Sequence, residues 1–397
     1  MDPEELVYRK TTMQYSFRLA ELLGHVPDPR KRPGTIKAIV EYTGLDRHQV
    51  AALLKNEVKY IPLKALSRLC DYLIEHGHAT ADQLPGALFA VEPENFWEML
   101  ARRRRLVMCL GVRRDVENRN ADTAYVVASD SVLAGEILNG VTTLGGTAKL
   151  KKLDEQPDAM PGLPVSSPHP EHLKQMLVWS PGQASDADLK AQANQSYREF
   201  SDSTGDKALV CLGSTKSNPV VELVVANAFG CDAFTSQDNI ASAADRSCPF
   251  FFRYRDTDPH PASCIGGLSL SAGEKNLEPG IYYENEQGKW INANSGKKKS
   301  PHVALVFYVY RESQGRLEMA LGGFSGRATR LLARALATRA EDFWPPIFVG
   351  QGIAIGAYLV EFNVGNEKED DILRTDLVAT TKVTPISETA LQRRLGN

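Results

Sequence analysis

Nine basic side chains crowd one short stretch of this chain: Arg30, Lys31, Arg32, Lys37, Arg47, Lys55, Lys59, Lys64 and Arg68. Glu41, Asp46 and Glu57 oppose them, so residues 30–68 carry +6 within a chain of formal charge -3. Ammonium and guanidinium groups at this density neutralise anionic oxygens, and a local basic surface on an acidic protein fits a polyanion partner. On a generic helical bundle the same charges would simply be solvated.

A second kind of chemistry sits in two turns rich in glycine and hydroxyl groups. Gly213-Ser214-Thr215-Lys216-Ser217-Asn218-Pro219 directly follows the apolar run Ala208–Leu212. Asn218 can cap a following helix, and Pro219 suits its first position. Gly322-Gly323-Phe324-Ser325-Gly326-Arg327-Ala328-Thr329 likewise follows the run Leu317–Leu321. Glycines let a ligand approach the backbone, and a helix N-terminus offers free N–H groups at the positive end of its dipole. Turns of this kind, at the carboxyl ends of strands, are the ordinary place for an anionic ligand in an open α/β sheet. Gly213, Ser214, Lys216, Ser217 and Asn218 are therefore candidate ligand contacts. Gly322, Gly323, Ser325, Gly326, Arg327 and Thr329 join them from the second turn, with Lys216 and Arg327 as countercharge. A nucleotide, phosphosugar or other anionic metabolite suits the arrangement. Both turns also read as tight loops that any α/β domain needs, since neither matches G-x-x-x-x-G-K-[ST] or G-x-G-x-x-G.

Enzyme chemistry is harder to find. Gly323-Phe324-Ser325-Gly326-Arg327 nearly makes the nucleophile elbow of a serine hydrolase, but arginine replaces the final glycine and no histidine follows His302. His76/His78 and His169/His172 are isolated pairs without a cysteine or carboxylate cluster at ligand spacing, so no metal is expected. Cys70, Cys109, Cys211, Cys231, Cys248 and Cys264 are irregularly spaced, and several sit in apolar runs, as reduced core thiols do. No cofactor is implied. One enzymatic alternative stays open: a nucleotide- or NAD-hydrolysing α/β effector, with Glu222 or Asp232 near the first turn.

The basic stretch must be held by the elements of residues 35–73, which read as helix, three-residue turn, helix, loop and helix. Ile36, Ile39 and Val40 make one apolar stripe, Val50, Leu53 and Leu54 a second, and Leu63, Leu66, Leu69 and Leu73 a third. Three helices can close around one small core. Gly44 stands where a tight turn needs positive φ, and Asp46 with Gln49 can form a capping box on the second helix. This layout resembles the helix-turn-helix of the Cro/C1-type (XRE) repressor family, whose glycine turn leads into a recognition helix and whose P-x-L/A-x-x-L helix follows a short loop. The counterparts are Gly44, residues 46–55 and Pro62-Leu63-Lys64-Ala65-Leu66. The resemblance covers about the first fifth of the chain. It implies a recognition helix in the major groove of double-stranded DNA, its N-terminal residues facing base edges. Arg47 and His48 would then point at bases, and Gln49 and Lys55 at bases or phosphates. Ala52 would offer a methyl contact to thymine, while Asn56 and Lys59 suit phosphate. The departure is Asp46, where Ser or Thr is commoner: a carboxylate caps well but repels nearby phosphate.

Around this segment, Met13–Leu23 reads as an amphipathic first helix, and a short helix near Phe96–Arg103 precedes four arginines at 102–105. That run could touch DNA or be a solvated helix end. From Leu106 onward strands and helices alternate, with buried strands expected at Leu106–Leu110 and Ala124–Ala128, and further strands at Ala208–Leu212, Phe250–Tyr254, His302–Tyr310, Leu317–Leu321 and Ile353–Val364. Helices are expected from Asp130 to about Asn139 and at Asp186–Phe200, Pro219–Phe229 and Arg327–Ala340, and a hairpin across Glu286–Gly288. A proline-rich stretch, Asp154–Pro170, marks a loop or subdomain boundary.

The fold expected is α/β: an all-α helix-turn-helix bundle at residues 1–80, a connector at 81–105, and a larger Rossmann-like α/β domain at 106–397. With 43% apolar and 24% charged residues the composition is that of an ordinary globular protein. No apolar run reaches the roughly 20 residues of a membrane span, and the acidic start MDPEELVYRK is unlike a signal peptide, so a cytoplasmic protein is expected. The functional expectation is a sequence-specific DNA-binding transcriptional regulator, dimeric, whose C-terminal domain senses a small anionic ligand or mediates self-association. The strand-GSxxSNP-helix and strand-GGxxGxxT-helix arrangement looks like the C-terminal halves of some uncharacterised bacterial helix-turn-helix regulators.

Overall fold

The computed structural model describes residues 15–23, 35–79, 88–115, 123–143, 170–311, 314–362 and 381–395 and positions 81 and 84. Exceptions inside these ranges are 56, 92, 94, 171, 351, 204–205, 236–239, 273–276 and 294–301. The chain divides into two compact units, Met1–Glu94 with Glu312–Gly315, and Asn95–Arg311 with Arg316–Asn397. The proline-rich stretch falls outside the described residues except for Pro170.

In the first unit, helices α1 (Leu19–Leu22), α2 (Thr35–Thr43), α3 (Arg47–Leu54) and α4 (Leu63–Glu75) surround one core. Ile39, Val50, Leu53, Leu54, Leu69 and Leu73 are buried in it, with Ile36, Val40 and Leu66 packed at its edge. Leu63 departs from the expected stripe and is 77% exposed. The buried face of α4 is Ala65, Leu69, Tyr72 and Leu73, an i, i+4, i+7, i+8 set that leaves position 63 on the far side. The helix expected over Met13–Leu23 is also corrected. Tyr15–Phe17 is a strand (β1) paired antiparallel with Phe89–Val91 (β2), and only Leu19–Leu22 is helical. A partner more than seventy residues away supplies that ladder, which local periodicity does not reveal.

Gly44 adopts φ 75° and closes the turn between α2 and α3, while Thr43 Oγ1 donates to Ile39 O at 2.6 Å. Asp46 then caps α3: Gln49 N donates to Asp46 Oδ1 at 2.8 Å, and Asp46 N donates to Gln49 Oε1 at 3.2 Å. Asp46→Ala should therefore lower the local stability of α3 by about 0.5–2 kcal/mol, whereas Asp46→Asn keeps the cap and should change it little. Hydrogen exchange at the Val50 and Leu53 amides reads the difference.

The second unit is built on a nine-stranded mixed sheet. Its strands are β3 (Arg105–Arg114), β4 (Ala124–Val126), β5 (His172–Trp179), β6 (Lys207–Leu212), β11 (Val303–Arg311), β12 (Arg316–Gly323), β13 (Phe348–Gly350), β14 (Ile353–Phe362) and β15 (Thr381–Pro385). Strands β5, β3, β6 and β12 lie side by side in parallel. From β12 the sheet continues antiparallel through β11 and β14 to β13 and β15. Side chains alternate between two cores, as a doubly covered sheet requires. Ala208, Val210 and Leu212 face one with Ala304, Val306 and Tyr308, whereas Leu209, Cys211, Leu305 and Phe307 face the other. Helices α5 (Phe96–Ala101), α6 (Ala128–Thr143) and α9 (Gly326–Arg339) contribute to the first core. Helices α7 (Asp186–Asp202), α8 (Val220–Phe229) and α10 (Glu388–Leu395) contribute to the second. A four-stranded sheet, β10-β9-β7-β8, packs there too, from β7 (Phe250–Arg253), β8 (Gly266–Gly267), β9 (Gly280–Glu284) and β10 (Trp290–Asn292). No helix among the described residues is long and apolar enough to cross a membrane.

Two features correct the sequence reading. The strand at Ala124–Val126 is not buried: it is an edge strand with Ala124 and Tyr125 exposed. Part of the 102–105 arginine run is structural. Arg103 is buried against Asp206 at 2.8 Å and Tyr310, Arg102 pairs with Glu98, and Arg105 opens β3.

Candidate nucleic-acid interface and ligand cleft

The capping box fixes where α3 begins, and so fixes its first two side chains. Arg47 and His48 follow the cap directly and are exposed. Val50, Leu53 and Leu54 bury the opposite face, so the first turn of α3 is presented outward on a rigid core. In the same unit Lys59, Lys64 and Arg68 are exposed, while Lys37 and Lys55 lie 3.7 Å from Glu41 and 3.9 Å from Glu57. An outward helix start set in a basic surface is the geometry of a base-reading element. Residues 30–74 match the family model of the Cro/C1-type HTH DNA-binding domain. No curated protein and no solved structure matches the chain.

Within this HTH the expected contacts are not equivalent. Arg47 and His48 are exposed. Gln49 is half-buried, with its Oε1 engaged in the capping box. Ala52 and Lys55 are half-buried, Lys59 is exposed, and Asn56 lies outside the described residues. Sequence reasoning missed Tyr60, which is 73% exposed beside Lys59. Its hydroxyl can donate to phosphate. An aromatic residue in a loop bounded by Lys59 and Pro62 was the available signal.

In the second unit both turns predicted from the sequence lie at the carboxyl ends of parallel strands, and they pack on each other. Their glycines have a different use from the one expected. A Cβ on Gly322 would sit 2.4 Å from the carbonyl carbon of Gly213, so these glycines let one turn lie against the other. Gly213 adopts φ 95°, and its own Cβ would meet Ser217 Oγ at 2.1 Å. Ser214 and Asn218 are buried, and Asn218 Nδ2 donates to Cys109 O at 2.9 Å and Leu212 O at 3.1 Å. Its Oδ1 accepts from Val220 N at 3.1 Å, although the N-cap position of α8 is held by Pro219 rather than by Asn218. Thr329 is buried as well, its hydroxyl accepting from Gly323 N at 3.1 Å.

Lys216 is also committed. Its Nζ donates to Phe324 O at 2.6 Å and Asp258 Oδ2 at 3.1 Å, and sits 3.9 Å from the centre of the Phe324 ring. Burial pulls the ammonium down to about 8, against the pull of Asp258, with Arg255 and Arg113 adding repulsion. At the start of α9 Ser325 and Arg327 are half-buried and Gly326 is exposed, and Ser217 of the β6 turn is half-buried. Ser325 caps that helix, its Oγ accepting from Ala328 N at 3.3 Å.

Sequence reasoning missed the first turn of α6, which lies against both turns. A Cβ on Gly326 would lie 3.2 Å from Ser129 Oγ, and one on Gly213 would lie 3.1 Å from Asp130 Oδ2. Asp130, expected as a cap, sits inside a helix that starts at Ala128 and is buried. Its Oδ2 has no hydrogen-bond partner among the described residues. Burial raises its carboxyl above the ordinary range, against Ser129 and Arg113. Glu222 does not reach this cleft chemistry. It is buried and accepts from Ser263 Oγ at 2.5 Å, Phe234 N at 3.0 Å and Cys264 N. Asp232 is exposed.

Proposed function

We propose that this protein is a sequence-specific transcriptional regulator. Its HTH reads operator DNA through α3, and its Rossmann-like α/β unit binds an anionic metabolite where the β6 and β12 turns meet α6. The observation that carries the reading is the exposed Arg47–His48 pair on the capped first turn of α3, inside the +6 stretch of residues 30–68. Single modules of this type make few base contacts, so a homodimer spanning two half-sites is the arrangement that gives useful affinity. A nucleotide or phosphosugar bound where these turns meet would act by favouring one arrangement of the two reading heads over another.

Binding of full-length protein to duplex DNA across a salt series tests the first part. The logarithm of the affinity should fall linearly with the logarithm of salt concentration, with a slope of about −0.9 for each phosphate neutralised. A flat response, or no retained duplex, would make the bundle a protein-interaction module instead. For the cleft, Arg327→Ala should abolish the change in DNA affinity caused by an anionic ligand and leave ligand-free DNA binding as it is.

Asp130 favours one second reading, a nucleotide- or NAD-hydrolysing effector whose HTH serves autoregulation. A buried carboxyl pushed upward where the first turn of α6 meets the β6 turn is the kind of group that active sites use. Turnover of NAD or a nucleoside triphosphate that disappears in Asp130→Asn would support it. No turnover with any of these substrates would leave the sensor.

A further inference from the structure

Three cysteines far apart in sequence converge on one point of the second unit. The sulfurs of Cys231, Cys248 and Cys264 all lie within 4.8 Å of one another, and Cys231 Sγ is 3.9 Å from Cys248 Sγ. The topology explains the meeting. Strands β7 and β8 pair in parallel with Phe252 opposite Gly266, so Cys248 and Cys264, just upstream of each, arrive side by side. Cys231 comes from the turn after α8, where Gly230 at φ 68° ends the helix and Cys231 N donates to Ala226 O at 3.0 Å.

The carboxylate of Glu222, in the first turn of α8, braces the whole arrangement. It holds Ser263 and Cys264 N on one side and Phe234 N, just beyond Cys231, on the other. Phe234 is kept at φ 58°, a left-handed conformation that a bulky residue rarely adopts. All six cysteines are free thiols, and 3.9 Å is far beyond a disulfide bond. It is close to the sulfur–sulfur separation of about 3.8 Å that tetrahedral zinc with Zn–S bonds near 2.3 Å would impose.

We propose that Cys231, Cys248 and Cys264 form a thiolate site for a thiophilic divalent cation, zinc by preference. On binding, the three thiols lose their protons to solvent and three S–Zn bonds form, leaving a site of net charge −1. The fourth position is taken by water or an exogenous ligand from the side of Cys231, which is half-buried while Cys248 and Cys264 are buried.

Cobalt(II) titration of the full-length, reduced, metal-stripped protein is the test. The expected result is one equivalent of Co2+ per chain, with sulfur-to-cobalt charge-transfer absorption and intense d–d bands of tetrahedral coordination, all displaced by Zn2+. Cys231→Ser, at the half-buried position where folding is least at risk, should lose the charge-transfer band while keeping the wild-type circular dichroism. Cys70→Ser should retain it. Folded wild-type protein that gives no such band, or gives the same band with Cys231→Ser, would overturn the site. So would air oxidation to a Cys231–Cys248 disulfide in a protein that takes up no cobalt when reduced.

Discussion

Replacing Glu318 by alanine is expected to cost the second unit about 3–5 kcal/mol, the price of stripping a counter-ion from buried charges. Glu318 lies fully buried on the central strand β12. Its Oε1 accepts from Arg316 at 2.7 Å and from the Tyr197 hydroxyl at 2.6 Å, and its Oε2 accepts from Arg311 at 2.5 Å. Arg316 is itself buried, so the variant would leave a guanidinium with no carboxylate and no route to water. Burial pushes the Glu318 carboxyl up, but Arg316, Arg311 and the Tyr197 hydroxyl more than reverse this, and it stays below the ordinary carboxylate range. The sign of the pH effect follows. A carboxyl lowered by folding adds stability above its unfolded value of about 4.3, and that stability is lost as pH falls through the folded value. Urea unfolding should therefore show wild type losing stability steeply in acid, and Glu318→Gln losing less because less is there to lose. Equal stability of wild type and Glu318→Gln at neutral pH would show that the network contributes nothing.

Arg47→Ala should weaken binding to the preferred duplex by about 1–3 kcal/mol, on the order of 5- to 150-fold, and relax the preference at one base pair. The side chain is exposed on the first turn of α3, and the bundle's core does not depend on it. Lys59→Ala, in the loop beyond that helix, should instead weaken all sequences alike and reduce the salt slope by about one. Competition titrations with matched and mutated duplexes separate the two patterns. Equal loss across sequences for Arg47→Ala would make it a phosphate contact and shift base reading to His48.

The HTH was legible because its signals are local. The stripe of Val50, Leu53 and Leu54, the positive-φ glycine at 44 and the Asp46–Gln49 box each need only a few neighbouring residues, and each appears in the structure. Strands β6, β11 and β12 were legible for the same reason, as apolar runs bounded by turn residues. What escaped depends on distant partners. The strand at Tyr15–Phe17 exists because of Phe89–Val91, and β5, with several exposed side chains, is recruited by β3. The cleft shows the same division. The positions of both glycine-rich turns were readable, but their packing on each other was not, nor was the burial of Ser214, Asn218 and Thr329. The Asp130 carboxyl and the three converging thiols arise from crossovers that no spacing in the sequence encodes.

Genomic footprinting of the full-length protein on its own chromosome tests DNA reading most directly. Discrete protected sites are expected, each made of two related half-sites whose centres lie about one helical turn apart, and Arg47→Ala should lose them. Protection spread evenly along the chromosome, or sites that persist unchanged in Arg47→Ala, would contradict a recognition role for the first turn of α3.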